Sequence, residues 1–247
     1  MSRPDLQQLA PSLYRLRLPG GRAHQLNCYL WVDDDGVTLV DTGWPDSAAA
    51  IEDALTELGK PREDVIRIVL THFHEDHAGA AAEIAQWSSA EVVAGAGDES
   101  FVRGVDQGPL PVLTAGERTL RGDITEAPHG PPCRVDRVVN DGDVLDFAGG
   151  ARVHNVDGHT PGSIALYLPA PDAILTGDAV AEFHGQVIVG VFNVDRAAAV
   201  RSVQAIAATG AQIAGFGHGD ALLTGACERI AAATDPFADS ADGANLS

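Results

Sequence analysis

One short segment, THFHEDHAG from Thr71 to Gly79, concentrates side chains that can bind metal ions. It follows the apolar run VIRIVL and precedes an alanine-rich stretch, so the pattern predicts a strand end that turns into a helix. Side chains two apart on an extended strand face the same side, and the first helical turn can point a later pair back towards them. The two neighbouring pairs of ligands predict two metal ions, with zinc first and iron, manganese or cobalt as alternatives. The candidate ligands here are His72, His74, Asp76 and His77.

Three further candidate ligands come directly after predicted strands. His159 lies in GHTPGS, Asp178 ends the run AILTGD, and His218 lies in GFGHGD. Glycine neighbours let the backbone turn sharply at strand ends, which is where the sites of α/β proteins gather. Each residue alone is weak evidence, but together they supply the ligands that two metal sites still need.

These motifs, in this order, resemble those of the metallo-β-lactamase-fold hydrolases, and LVDTGW at Leu39 to Trp44 matches the early aspartate motif of that family. The resemblance covers about residues 12 to 220. It implies the α/β fold of the family, a four-layered αββα sandwich of two mixed β-sheets flanked by helices, with the metals at one edge. It also implies one metal on His72, His74 and His159, a second on Asp76, His77 and His218, Asp178 as the bridge, and Asp41 as the residue that helps to hold the ligands.

The expected elements fit this α/β class. Strands are predicted at LYRLRL, NCYLWV, VTLVDT, VIRIVL, EVVAG, ARVHNV, SIALYL, AILTGD and QIAGF, with a hairpin turn over residues 33–36. Helices are predicted after a cap at Asp46 and over about 78–87, 195–210 and 221–233. We expect one domain over residues 1–234 and a disordered acidic tail over 235–247.

One long connection, from about Gly95 to Asn140, is rich in glycine, proline and charge and shows weak periodicity. Long irregular connections in enzymes are commonly lids or substrate walls, so we expect this insertion to cover the metal site and shape the substrate pocket. None of the seven candidate ligands lies inside it, and its removal is expected to leave the metals bound. Of the other histidines, His129 and His154 are expected to be structural, and His24 and His184 are weaker candidates for the pocket.

The composition restricts the partners. Sixteen Lys and Arg against thirty-five Asp and Glu give a formal net charge of -19, which disfavours nucleic acids and anionic membranes and leaves a small-molecule substrate. No apolar run approaches the roughly 20 residues that span a bilayer, and the start shows no signal-peptide pattern, so a cytoplasmic protein is expected. Three scattered cysteines indicate structural thiols rather than a disulfide framework. The sequence does not indicate an oligomeric state.

The resemblance implies a hydrolase in which a metal-bound hydroxide is the nucleophile at neutral pH and a metal polarises the scissile carbonyl. The β-lactamases of the family generally lack an aspartate at the bridging position, so Asp178 favours the glyoxalase II, thioesterase and lactonase branches. Lactonases place a tyrosine shortly after that aspartate, where this chain has Ala179, Val180 and Ala181. We therefore expect a zinc-dependent hydrolase of carboxylic esters or thioesters. Its catalytic carboxylates would be Asp41, Asp76 and Asp178.

Other functions also fit these residues. Lactone hydrolysis uses the same centre. A mononuclear iron sulfur (persulfide) dioxygenase shares the fold and uses the equivalents of His72, His159 and Asp178 as a two-histidine, one-carboxylate triad. A non-catalytic metal sensor would need a complete ligand set with no open position. The identity of the metal separates the dioxygenase from the hydrolase.

Overall fold

The computed structural model describes residues 3–18 and 26–238. Within these residues the chain forms two mixed β-sheets packed face to face, with helices on both outer sides. The predicted four-layered αββα sandwich is therefore confirmed. His24 and residues 239–247 of the predicted tail lie outside the described residues. None of the helices in the described ranges is long and apolar enough to cross a lipid bilayer.

The first sheet has seven strands that lie side by side in chain order. They are β1 (Asp5–Ala10), β2 (Leu13–Leu18), β3 (Leu26–Val32), β4 (Val37–Val40), β5 (Val65–Leu70), β6 (Glu91–Gly95) and β7 (Arg137–Val139). Strands β1 to β4 are antiparallel neighbours, whereas β4 to β7 run parallel. The hairpin predicted between β3 and β4 is present, and the amide of Asp33 donates to the carbonyl of Gly36 at 3.1 Å.

The second sheet has five strands, and a separate two-stranded hairpin lies beside the site. The remaining strands are β8 (Val144–Leu145), β9 (Ala151–Asn155), β10 (Ile164–Leu168), β11 (Ala173–Leu175), β12 (Val180–Phe183), β13 (Gln186–Val189) and β14 (Ile213–Gly215). The five-stranded order is β14-β11-β10-β9-β8, with β14 parallel to β11 and the other pairs antiparallel. Strands β12 and β13 form the hairpin, which the sequence analysis did not predict. Its turn residues His184 and Gly185 both have positive φ, as a tight two-residue turn requires.

The helices lie on the outer faces of the two sheets and in the connections around the site. They are α1 (Ala48–Glu57), α2 (Glu75–Ala78), α3 (Ala81–Ile84), α4 (Glu99–Val102), α5 (Ala115–Arg121), α6 (Arg196–Ala207) and α7 (Ala226–Ala231). Helix α6 agrees with its prediction, and the Asp195 carboxylate caps it by accepting from the amide of Ala198 at 2.9 Å. Helix α7 is shorter than predicted.

Two helix predictions were wrong in detail. The residue at the start of α1 is Ser47, so Asp46 is not its cap. The helix predicted over 78–87 is divided into α2 and α3. Gly79, at the break, packs against the preceding turn so closely that a Cβ would lie 2.5 Å from the Pro45 nitrogen. Its amide also donates to the carbonyl of Gly43 at 2.9 Å, so the end of α2 is held by that turn.

Apolar contacts join the four layers. One cluster fills the space between the sheets, a second joins the first sheet to α1 and α3, and a third joins the second sheet to α6 and α7. Along β5, Ile68 belongs to the helix-facing cluster and Val69 to the cluster between the sheets. Strand β5 is thus covered on both faces, as its continuous apolar run predicted. Burial of each such side chain contributes about 1.5–3 kcal/mol to folding.

Candidate metal centre

The seven predicted ligands meet at one edge of the sandwich, where strands of both sheets end. Parallel strands deliver their carboxyl ends to the same edge, so the loops after β4, β5 and β6 are neighbours. In the second sheet, β11 and β14 are parallel and end at the same edge. The donor atoms fall into groups within 4.8 Å: His72, His74 and His159; His72, Asp76 and His77; and His77, Asp178 and His218.

The first group contains only histidines. Nε2 of His159 lies 3.0 Å from Nδ1 of His74, and the ring of His72 lies 4.8 Å from each of the other two rings. Nδ1 of His159 donates to the carbonyl of Val191 at 3.0 Å, which places the proton on Nδ1 and leaves Nε2 as a metal-binding atom. The three imidazoles can therefore present lone pairs to one point.

The other two groups share His77, and we treat them together as a second group that consists of Asp76, His77, Asp178 and His218. Asp178 lies at its centre. One of its oxygens, Oδ1, lies 3.2 Å from Nε2 of His77. The other, Oδ2, lies 3.3 Å from Nε2 of His218 and 3.8 Å from Nε2 of His159. Asp76 approaches the same region, with Oδ2 3.4 Å from Nε2 of His218. The carboxylate of Asp178 thus lies between the all-histidine group and the other members of the second group.

Asp41 supports this second group from the end of β4. It has a left-handed φ of 63°, a conformation that aspartate tolerates better than most residues. Its carboxylate accepts hydrogen bonds from the amide of Thr71 at 2.7 Å and from its hydroxyl at 2.8 Å, and lies 2.8 Å from Nδ1 of His77. A carboxylate on Nδ1 orients the ring and makes Nε2 a better donor to a metal. The position agrees with the supporting role that the resemblance implied.

The His218 loop is held from the first sheet by residues that the sequence analysis did not single out. The side-chain amide of Asn27 donates to the carbonyls of Phe216 at 3.0 Å and Gly219 at 2.8 Å, and the Tyr29 hydroxyl donates to Phe216 at 2.7 Å. Gly217 is required between them, since a Cβ there would lie 2.0 Å from Oδ1 of Asp178. These contacts join the two sheets at the metal centre.

The histidines of the site differ in the direction in which their surroundings shift the pKa. Burial lowers the pKa of His72 and of His74 well below the usual range, which keeps both imidazoles neutral. Burial also acts to lower the pKa of His218, but Asp178 and Asp76 outweigh it and raise this pKa to about 10. The same carboxylates and Asp41 raise the pKa of His77 against the effect of burial. This side of the site therefore attracts positive charge.

The donor set fits divalent zinc. Five imidazoles and two carboxylates are the ligand types that zinc takes, with iron and manganese as alternatives. Among the described residues, three of the buried atoms at the site make no hydrogen bond: Nε2 of His72, Nε2 of His77 and Oδ1 of Asp178. Buried polar atoms are normally satisfied, so their convergence points to ligands for an ion.

The predicted insertion is partly helical. It spans the connection between β6 and β7 and contains α4 and α5. Helix α5 has a capping box, in which Thr114 accepts from the Glu117 amide and the Glu117 side chain accepts from the Thr114 amide. A cavity of about 640 Å³ lies beside the metal centre, lined by Glu75 of α2 and by insertion residues that include Leu110 and Arg121. The insertion thus forms a wall next to the ligand segment.

The other histidines that the structure describes fall outside the ligand groups. Nε2 of His129 accepts from the amide of Gly108 at 2.8 Å, and its ring lies 4.8 Å from that of Phe73. It also lines the cavity, so it borders the site while making structural contacts. His184 lies in the β12–β13 turn beside Phe183, and His154 is half-buried in β9.

The sequence analysis missed one buried carboxylate, Asp98. It is 1% exposed and lies three residues after the end of β6. Burial raises its pKa to about 6. One signal in the sequence could have found it. Asp98 follows β6, and β6 is the parallel neighbour of β5, the strand that precedes the histidine segment.

Comparisons with known proteins agree with this architecture. The profile of the metallo-beta-lactamase superfamily matches residues 21–218. The uncharacterized protein YobT of Bacillus subtilis (strain 168) is 30% identical over 160 residues, which cover 62% of this chain and 61% of that protein. A hydroxyacylglutathione hydrolase of Hyphomonas neptunium is 29% identical over 142 residues, 57% of this chain and 41% of that enzyme. The chain thus spans about half the length of the curated relatives it matches.

A solved structure has the same fold. The metallo-beta-lactamase family protein from Thermus thermophilus superposes with a TM-score of 0.67 and 27% sequence identity, over 91% of this chain and 79% of that one. The profile match and the shared fold both cover most of the sequence. The chain belongs to the metallo-beta-lactamase superfamily.

Proposed function

We propose that this protein is a dinuclear metal-dependent hydrolase that cleaves a carboxylic ester or thioester of a small molecule. One observation carries the proposal: the Asp178 carboxylate lies between two ligand groups, with Oδ1 near His77 and Oδ2 near His218 and His159. A complete second group beside the all-histidine group supports two ions rather than one. This arrangement favours the hydrolase over a mononuclear iron dioxygenase.

The residues have separate roles in this proposal. His72, His74 and His159 would hold one ion, and Asp76, His77 and His218 the other, with Asp178 shared. Two zinc ions held there would supply a hydroxide nucleophile near neutral pH and polarise the scissile carbonyl. Asp41 holds the ring of His77, and the Val191 carbonyl holds the ring of His159. The protein thereby fixes the ligand atoms before the substrate binds.

The substrate class rests on the relatives and on the bridging aspartate. Two curated relatives are hydroxyacylglutathione hydrolases, about 29% identical to this chain over part of their length. Their name indicates thioester cleavage, and we extend that bond type, not the glutathione group, to this protein. The insertion wall and its cavity are proposed to receive the acyl group.

Metal analysis and a substrate panel test the proposal together. Elemental analysis of protein purified without chelators is expected to return two zinc ions per chain. Hydrolysis is expected for aliphatic or aryl thioesters or esters, assayed beside a lactone, a cephalosporin and a phosphodiester. One iron with no second metal, together with oxygen consumption on a persulfide, would move the assignment to the dioxygenase. Preferred cleavage of the lactone would change the proposed substrate class from esters and thioesters to lactones.

A further inference from the structure

Asp98 lies directly beneath the two loops that carry the all-histidine group. Its Oδ2 accepts from the amide of Phe73 at 3.0 Å and from the hydroxyl of Thr160 at 2.7 Å, and its Oδ1 accepts from the amide of Gly162 at 2.7 Å. Phe73 stands between His72 and His74, and Thr160 follows His159. One carboxylate therefore joins the loop after β5 to the loop after β9, and these loops come from different sheets.

The backbones around Asp98 approach each other closely. A Cβ at Gly97 would lie 2.5 Å from the Pro161 carbonyl oxygen, and a Cβ at Gly162 would lie 2.1 Å from the Asp98 nitrogen. The Ser163 hydroxyl completes the turn by accepting from the amide of Thr160 at 3.1 Å. The turn before Asp98 and the turn after His159 are thus packed directly against each other, and the Asp98 carboxylate accepts from the second of these turns.

We propose that Asp98 is a positioning residue for the metal ion of the all-histidine group, because it fixes the loop of His72 and His74 relative to the loop of His159. The three hydrogen bonds that its carboxylate accepts all come from these two loops. Asp41 acts from the other side, on His77 and on Thr71, which precedes His72. Of the two aspartates it is Asp98 that contacts the His159 loop, so loss of Asp98 weakens retention of the ion of the all-histidine group more than that of the other. The inference rests on the proposed metal centre but not on its substrate.

The charge and burial of Asp98 match this role. A buried carboxylate is costly unless donors surround it, and hydrogen bonds from amides and hydroxyls to an anion are shorter and stronger than neutral ones. The hydrogen bonds to Thr160 and Gly162 are both 2.7 Å. Residues that orient metal ligands from outside typically change metal affinity or activity by 10–100-fold when they are replaced, about the size of effect expected here.

The test compares Asp98→Ala and Asp98→Asn with wild type in the zinc-loaded protein. Zinc transfer to a colorimetric chelator is followed over time, and X-ray absorption reports the histidine ligands of the ion that remains. Asp98→Ala is expected to lose one of two zinc equivalents about 10–100-fold faster than wild type, while the retained ion keeps the carboxylate-rich environment. Asp98→Asn, which keeps one acceptor oxygen, is expected to fall between. Asp106→Asn, an exposed aspartate of the same segment, is the matched control.

The outcomes are separable. A folded Asp98→Ala protein that releases both ions at the wild-type rates, or both ions equally faster, overturns the inference. If that variant does not fold, Thr160→Val removes the hydroxyl that bonds Asp98 and Ser163, and unchanged zinc release in this variant overturns the inference as well. Wild-type protein without bound metal contradicts the proposed function instead. In that case the inference is tested by hydrogen exchange of residues 71–75 and 158–163. Unchanged exchange in Asp98→Asn would show that Asp98 does not fix these loops.

Discussion

Two buried aspartates support the metal centre from opposite sides, and they do so by different contacts. Asp41 follows β4 and lies 2.8 Å from a ligand ring, at Nδ1 of His77. Asp98 follows β6, and its carboxylate accepts from two backbone amides and one hydroxyl of the described residues. The first contact changes both the orientation and the basicity of a ligand, whereas the second fixes where the loops lie. Asp41 thus combines an electrostatic contact to a ligand ring with hydrogen bonds from Thr71, whereas Asp98 acts through the loop geometry.

The topology explains why the two aspartates come in this arrangement. Strands β4 and β6 flank β5 in parallel, and the histidine segment follows β5. A side chain just beyond either flanking strand can therefore reach that segment from one side. Support for a metal site can accordingly be sought at the ends of the neighbouring strands, even where the sequence contains no recognisable ligand.

The largest effect is expected from Asp178→Ala, because this carboxylate belongs to both sides of the centre. In the proposed dinuclear centre its loss would remove the carboxylate shared by both ions, and turnover is expected to fall on the order of 100-fold or more. Steady-state kinetics and metal content of the purified variant are the measurements. Asp123→Ala, at a highly exposed position in the insertion, is the control. A variant with wild-type turnover and both metals would remove Asp178 from the site.

Asp41→Asn distinguishes the two supporting aspartates. The amide keeps the shape of the side chain but removes the charge facing His77, so zinc affinity is expected to fall about 10–100-fold on the His77 side. Competition with a chelator measures this loss, and the exposed Asp46→Asn is the control. The ion of the all-histidine group should be retained, the reverse of the pattern expected for Asp98. Identical patterns in the two variants would show that the division of support is wrong.

Shortening the insertion tests whether it determines acyl selectivity, separately from the support that Asp98 gives to the metal centre. Replacing residues 107–128 with a brief Gly-Ser linker removes much of the cavity lining but keeps Asp98. We expect the metals to remain bound and the relative rates on different acyl groups to change on the order of 10-fold. Rates on a series of thioesters of increasing chain length measure this. Unchanged relative rates in a folded variant would place acyl selectivity elsewhere, for example in the loops around His24 and His184.

A smaller effect, on stability rather than on selectivity, is expected from Glu117→Gln. Glu117 is fully buried, and its Oε1 accepts from the amide of Phe192 at 2.7 Å and from Arg196 at 2.9 Å. Glutamine keeps one acceptor oxygen where three donors converge, so the free energy of unfolding is expected to fall by about 1–3 kcal/mol. Denaturant unfolding measures the loss, and Glu126→Gln at an exposed position is the control. Equal stability of the two variants would mean that Glu117 does not anchor α5.

Local patterns in the chain were enough to predict the candidate ligands and most of the elements that carry them. The segment from His72 to His77 and the motifs around His159, Asp178 and His218 are short, and each follows a strand whose apolar run is also short. Family resemblance then supplied the sandwich and the pairing of the ligands. The structure brings all seven residues together at one edge.

How these residues are held could not be predicted in the same way, because the contacts join segments far apart in the chain. The break between α2 and α3 depends on the approach of Gly79 to Pro45, and support of His159 depends on the Val191 carbonyl. Asp98 lies in a segment whose composition indicates an irregular connection, and its role becomes visible only when two loops from different sheets meet above it. Such contacts leave no periodicity or spacing in the sequence, since their partners are chosen by packing of the sheets rather than by neighbouring residues.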